Sequence, residues 1–140
     1  MAKKIGLAVM LLLLPWVVAQ GQTFVGQFAV EGSSGMFESN NIKVEITQTA
    51  GQPVATIVIY KVKFSPKMPF GVTLTIPNVT LTETSTDVYA ISGNNIVPIA
   101  MGKKFEKYAI PQIMGSMTKS ACSFKMTMGK SPMSYKGTKK

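Results

Sequence analysis

From Thr23 to Thr138 the chain alternates apolar and polar positions with a period of two, the mark of strands with one buried face. Phe24, Gly26, Phe28 and Val30 share one parity, and Thr23, Val25, Gln27, Ala29 and Glu31 the other. Gly32-Ser33-Ser34-Gly35 ends this first strand. Ile42, Val44 and Ile46 then alternate with Lys43, Glu45 and Thr47, and Ala50-Gly51-Gln52-Pro53 turns the chain into a run from Val54 to Phe64. In that run Val58, Tyr60, Val62 and Phe64 are predicted to share one face, with Lys61 and Lys63 on the other. Ser65-Pro66-Lys67-Met68-Pro69 reads as a rigid loop, after which Phe70, Val72, Leu74 and Ile76 resume the alternation. At Pro77-Asn78 the apolar parity passes to Val79 and Leu81, as at a bulge or corner, where a sheet tolerates proline.

Shorter strands are predicted over Val88–Ser92 and Ile96–Met101, joined by Gly93-Asn94-Asn95. Lys103 to Met117 holds one or two strands interrupted by Pro111 and Gly115, and Ala121–Met128 pairs with Pro132–Thr138 across Gly129-Lys130-Ser131. The total is about eight to ten strands with no helix after the N-terminus, so the fold class is all-β, a sandwich or a closed barrel. A transmembrane barrel needs an apolar outer band with aromatic girdles. Lys61, Lys63 and Lys125 interrupt the second face, and the chain ends Gly137-Thr138-Lys139-Lys140, so a soluble barrel is expected.

The first residues break the pattern. Met1-Ala2-Lys3-Lys4 precedes an apolar run from Ile5 to Leu14, followed by Pro15, Trp16, Val17, Val18 and Ala19. This core of about 15 residues suits the helical h-region of a secretory signal peptide and falls short of the roughly 20 that span a bilayer. Cleavage is expected before Gln20 or Gln22, giving a signal peptide over 1–21 and one domain over 22–140. The working protein is therefore expected to be exported, to a periplasm or to the cell surface and medium, without stable membrane insertion once the leader is removed.

Composition narrows the chemistry. The formal net charge is +9, reduced by the loss of Lys3 and Lys4, and every basic residue is lysine. Nucleic-acid sites favour the two-pronged guanidinium of arginine, so no nucleic-acid partner is expected. There is no histidine. That removes the commonest general base and the commonest transition-metal ligand, and neither an enzyme nor a cofactor is expected. Asp87, Glu31, Glu38, Glu45, Glu83 and Glu106 are the only carboxylates, and no phosphate loop, Rossmann fingerprint or EF-hand loop is present. The single cysteine, Cys122, shares parity with Phe124, Met126 and Met128, as a buried inert thiol would. Met114, Met117, Cys122, Met126 and Met128 are soft sulfur groups of the kind that select Cu(I), although their parity matches that of core residues. Asn78-Val79-Thr80 is a glycosylation sequon, relevant only in a eukaryotic secretory pathway.

Several segments carry a family resemblance. They are Thr23-Phe24-Val25-Gly26-Gln27-Phe28 after the leader, Tyr60-Lys61-Val62-Lys63-Phe64, Met68-Pro69-Phe70-Gly71-Val72, Ile76-Pro77-Asn78-Val79, and the ending Met133-Ser134-Tyr135-Lys136-Gly137-Thr138-Lys139. In these the chain resembles the calycin-like β-barrel family of exported Bacteroidetes proteins, which are lipocalin-like in shape. The resemblance implies a single antiparallel up-and-down barrel whose interior is able to hold a small apolar ligand. It implies no catalytic residues. Lipocalins carry Gly-x-Trp in their first strand, whereas this chain has Gly26-Gln27-Phe28.

Two functions from different classes follow. In the first, a non-catalytic barrel binds a small hydrophobic or lipid-like ligand, with Phe28, Val44, Ile46, Val58, Tyr60, Phe64, Leu74, Phe124, Met126 and Tyr135 as cavity candidates. In the second, those side chains only fill the core, and the barrel is a surface or periplasmic interaction module whose protein partner is not specified by the sequence.

Overall fold

The computed structural model describes residues 21–140 except Ser33, Ser34, Ala50 and Pro66. The signal peptide expected over 1–21 lies outside the described residues apart from Gly21, where the first strand starts. The alternating segments become ten strands: β1 Gly21–Gly32, β2 Gly35–Gln48, β3 Val54–Val62, β4 Val72–Ser85, β5 Val88–Ile96, β6 Ile99–Ala100, β7 Lys103–Lys104, β8 Ile110–Met117, β9 Ala121–Met128 and β10 Ser131–Lys139. Among the described residues the helical content is one 3-10 turn, Glu106–Tyr108.

Eight strands pair antiparallel in the order β3-β2-β1-β10-β9-β8-β5-β4, and β4 pairs back with β3. The sheet is therefore a closed up-and-down barrel. The first and last long strands meet along one seam, from Met133 opposite Val30 to Lys139 opposite Phe24. β6 and β7 form a side hairpin on β4, within the excursion that joins β5 to β8.

An eight-stranded barrel has an interior about as wide as the side chains that fill it. Here those are Phe24, Phe28, Val44, Ile46, Ile57, Ile59, Ile76, Ile91, Ile113, Phe124 and Tyr135, all buried, and among the described residues no polar or charged side chain outside tyrosine and cysteine is buried with them. The outward positions, by contrast, are mostly threonine, serine and lysine, including Thr73, Thr80, Ser92, Ser123, Lys125 and Lys136, which lie exposed. That is the reverse of a lipid-facing barrel, with its apolar outside and polar inside.

Closing so narrow a barrel requires the strands to coil, and bulges supply the extra twist. Asn41, Lys61, Asn78 and Asn95 hold left-handed φ values of 59°, 51°, 58° and 53°. Asparagine tolerates that region better than most residues because its short amide bonds locally. The bulge at Asn78 produces the parity switch from Leu74 and Ile76 to Val79 and Leu81, all four buried.

The bulge at Lys61 corrects the reading of β3. Register shifts between Ile59 and Val62, so Ile57 and Ile59 line the interior together with Val62 and Phe64. Val58 and Tyr60, expected inside, face outward: Val58 sits opposite Glu45, and the Tyr60 hydroxyl donates to Glu45 Oε1 at 2.8 Å. Both parities of Thr56–Tyr60 are apolar or aromatic after Thr56, so alternation alone did not distinguish them. A second correction concerns Gly93-Asn94-Asn95, expected to be a turn. β5 continues through it, with Gly93 opposite Ile113 and Asn94 opposite Gln112, and the Ile96 and Ile113 side chains occupy the space a Cβ on Gly93 would need. Of the strand expected over Ile96–Met101, only Ile99–Ala100 forms as a separate element.

Tyr135 ties the seam together. Its ring stacks on Phe124 with centroids 5.4 Å apart, and its hydroxyl donates to the Ile42 carbonyl at 3.0 Å, beside the Asn41 bulge. The ring lies over Gly137, where any Cβ would meet its hydroxyl oxygen, Cζ and Cε2. Gly26 lets β1 approach equally closely, since a Cβ there would collide with the Lys136 carbonyl and the Gly137 Cα. Tyr135→Phe, which deletes only the hydroxyl bond, is expected to cost about 1 kcal/mol. Gly137→Ala, which displaces the ring, should cost about 1–3 kcal/mol. Urea unfolding midpoints at constant slope measure both, and an unchanged midpoint for Tyr135→Phe would contradict this role.

Candidate functional site

The middle of the barrel is filled. Space opens at one end, beside the ends of β1, β3, β5 and β9 and the starts of β2, β4, β8 and β10. A cavity of about 350 Å³ sits in this mouth. Val30, Leu74, Met128 and Met133 reach it from the strands, Phe64, Met68 and Val72 from the β3–β4 connection and the start of β4, and Pro98, Ala100, Met101, Phe105 and Tyr108 from the β5–β8 excursion. Ser131 completes the lining, so apart from its hydroxyl and that of Tyr108 the wall is hydrocarbon, thioether and aromatic ring.

The opening has a backbone cause. Ile96 stays with β8, opposite Ile110, while Ile99 and Ala100 return to β4, opposite Thr75 and Leu74. The sheet parts between them at Val97-Pro98, and proline, with no N–H to donate, suits a break in the ladder. The chain then folds back over the end. The Phe105 N–H donates to the Pro98 carbonyl at 2.9 Å, and the Gly129 N–H donates to the Ala109 carbonyl at 3.2 Å, tying this flap to the β9–β10 turn. Phe105 and Tyr108 lie with ring centroids 6.4 Å apart, and Phe64 meets Phe28 edge-on at 6.2 Å, which separates the cavity from the packed interior. The Phe64 N–H donates to Met68 Sδ at 3.1 Å, fixing one wall. At the lip, Met101 is 74 % exposed and Tyr108 50 %.

Of the cavity residues expected from the sequence, Phe64 and Leu74 line this space, and Phe28 lies beneath it against Phe64. Val44, Ile46, Phe124, Met126 and Tyr135 are buried in the packed interior away from the cavity. Val58 and Tyr60 are outside the barrel altogether, with Tyr60 beneath the Lys43 ammonium, 4.8 Å from its ring centroid. Of the lining residues that sequence reasoning missed, Pro98, Ala100, Met101, Phe105 and Tyr108 lie in the irregular excursion, and Val30, Met68, Val72, Met128, Ser131 and Met133 lie at strand ends and in the other connections. The available signal was a cluster of large apolar residues, Met101, Phe105 and Tyr108, set among lysines in a segment too irregular to be a strand.

The other candidate chemistry disperses. Met114 points outward and is 57 % exposed, Met117 and Cys122 pair inside the barrel, and Met128 sits at the mouth, so the five sulfur groups do not converge. Burial pushes the Cys122 thiol up to about 12, which keeps it protonated and a poor nucleophile. Among the described residues no three of His, Cys, Asp and Glu gather as metal ligands, and the one ion pair is Lys119–Asp87 at 3.3 Å. The Tyr60 hydroxyl is raised above its ordinary value, chiefly by its hydrogen bond to Glu45 and then by burial. A larger concavity, about 820 Å³, lies on the outer face of β1, β8, β9 and β10 between Met36 and Met114. It is shallow and open to solvent.

No protein-family model matches the chain, and no curated protein matches it. Among solved structures the chain is similar to the crystal structure of a "putative outer membrane protein" from Bacteroides fragilis NCTC 9343, with a TM-score of 0.56 and 16% sequence identity. The match covers 88% of this chain and 51% of that one, so this chain spans about half the length of its structural neighbour. At that identity the likeness is one of fold.

Burial raises both the Cys122 thiol and the Tyr135 phenol in the folded protein, so the unfolded chain releases these protons first as pH rises. Their contribution to stability is complete below the ordinary thiol value of 9.0 and is lost progressively above it. Unfolding midpoints measured across this range should fall with pH, and Cys122→Ala should flatten the first part of the decline.

Proposed function

We propose that this chain is an exported, non-catalytic barrel protein that binds a small apolar ligand in the mouth of its barrel. The observation that carries the reading is the 350 Å³ apolar cavity roofed by the β5–β8 excursion. That volume falls at the small end of the range, about 300–1,000 Å³, used by ligand pockets. Its wall offers two hydroxyls, from Ser131 and Tyr108, and no group suited to proton abstraction or nucleophilic attack at neutral pH.

Export is supported by the hydrophobic leader and by the outer-membrane description of the structural neighbour. The polar outer face supports a barrel that stays in water once the leader is removed, in a periplasm or at the cell surface. Membership of the calycin-like family is part of the same proposal, supported by the closed up-and-down barrel and the segments quoted above. The alternative, an interaction module that recruits partners by strand addition, has less support. Closure gives each long strand a partner on both sides over part of its length. Of the edges left, β7 is two residues long and consists of Lys103 and Lys104, and the Gly35–Lys43 stretch of β2, which pairs with β1 alone, carries the charges of Glu38 and Lys43.

Ala100 tests the reading because its small side chain leaves part of the cavity open. N-phenyl-1-naphthylamine, a neutral apolar probe, is expected to bind saturably with a gain in fluorescence. Ala100→Leu should fill the site and weaken the probe about tenfold, or 1.4 kcal/mol. Tyr60→Ala, on the outer face, should leave binding unchanged. A probe signal that does not saturate, or one indifferent to Ala100→Leu, would overturn the proposal.

A further inference from the structure

We propose that the ligand is an anionic amphiphile, its hydrocarbon chain in the mouth cavity and its charged head outside among the lysines of the surrounding connections. This rests on the reading above and adds the chemistry of the head group. Six lysines fall within two residues of a cavity-lining position: Lys63 beside Phe64, Lys67 beside Met68, Lys103 and Lys104 between Met101 and Phe105, Lys107 beside Tyr108, and Lys130 beside Ser131. Two carboxylates do so, Glu106 and Glu31. The opposite end of the barrel carries Lys119, Lys139 and Lys140 against Glu83 and Asp87, with Lys119 paired to Asp87 at 3.3 Å, and among the described residues none of the six lysines at the mouth lies in such a pair. Positive charge is therefore gathered at the end where the apolar space opens.

The cavity wall itself carries no cation. A buried carboxylate there would lose its hydration without a partner, at a cost that excludes it. The geometry instead places an anionic head at the lip, in water, within the field of several ammonium groups. Lysine binds as a point charge without the planar fork of arginine, so the site should select for negative charge and not for the shape of a particular oxyanion. Single exposed pairs of this kind contribute little, and the effect comes from the summed field, which salt screens.

The test compares four probes with one ten-carbon chain by calorimetry: decanoate, decyl sulfate, decanol and decyltrimethylammonium. Decanoate and decyl sulfate should bind similarly to each other, about tenfold more tightly than decanol at low salt, and decyltrimethylammonium should bind weakest. Raising the salt from about 0.05 M to about 0.5 M should erase most of that margin, because the screening length falls severalfold. The triple variant Lys103→Gln, Lys104→Gln and Lys107→Gln should lose the preference for the anions while binding decanol as before. Replacing Lys139 and Lys140 by glutamine, at the far end, should change nothing. Decanol and decanoate of equal affinity would overturn this inference and leave the apolar site standing. Saturable binding of none of the four would overturn the site as well. Capture of the protein by anionic phosphatidylglycerol vesicles without uptake of monomeric decanoate would show a membrane-docking face instead, and would also overturn it.

Discussion

A sheet of eight strands that closes on itself leaves an interior only as wide as the side chains within it, and this constraint governs the molecule. The barrel closes where its terminal long strands meet, and that seam depends on Tyr135. Its ring covers Gly137, stacks on Phe124, and carries its hydroxyl across β1 to the Ile42 carbonyl on β2. One side chain thus fills space that a glycine leaves empty and links β9, β10 and β2 across the intervening β1. The bulges at Asn41, Lys61 and Asn78 provide the coiling that the same closure demands.

The open end arises where the constraint is relaxed. Across most of the barrel, Phe24, Phe28, Phe124, Tyr135 and the isoleucines occupy the interior and are buried there. At the mouth, β5 and β6 part company at Val97-Pro98, one staying with β8 and the other with β4. The gap is roofed by a segment that contributes large apolar side chains but no continuous strand. The methionines that line the cavity, Met68, Met101, Met128 and Met133, suit such a place, since their flexible thioethers adapt to irregular space. Core and cavity are therefore made of similar residues and differ in backbone pairing.

Much of the fold was legible because its chemistry is local. Ile42, Val44 and Ile46 alternate cleanly with Lys43, Glu45 and Thr47, Phe24, Phe28 and Val30 share one parity among smaller or polar neighbours, and each faces the interior as expected. The parity switch at Pro77-Asn78 was legible for the same reason, because apolar side chains mark both sides of the bulge. Val58 and Tyr60 were misplaced where that contrast fails. Both faces of β3 are apolar there, and a bulge at a lysine leaves no compositional mark. Gly93 likewise suggested a turn, yet its missing side chain serves the packing of Ile96 and Ile113 inside a continuous strand.

The amino-acid sequence by itself determined the two-residue period, the apolar run from Ile5 to Leu14, the lysine-only positive charge and the lack of histidine. These properties need no partner in space to be read. Only the tertiary structure decided which strands neighbour one another, that the sheet closes, and where the cavity lies. Those depend on contacts between residues far apart in the chain, such as Tyr135 with Ile42 and Gly129 with Ala109. The mouth shows the division most clearly: its lining residues look like core or loop in one dimension, and become a site only when the sheet parts above Phe28 and Phe64.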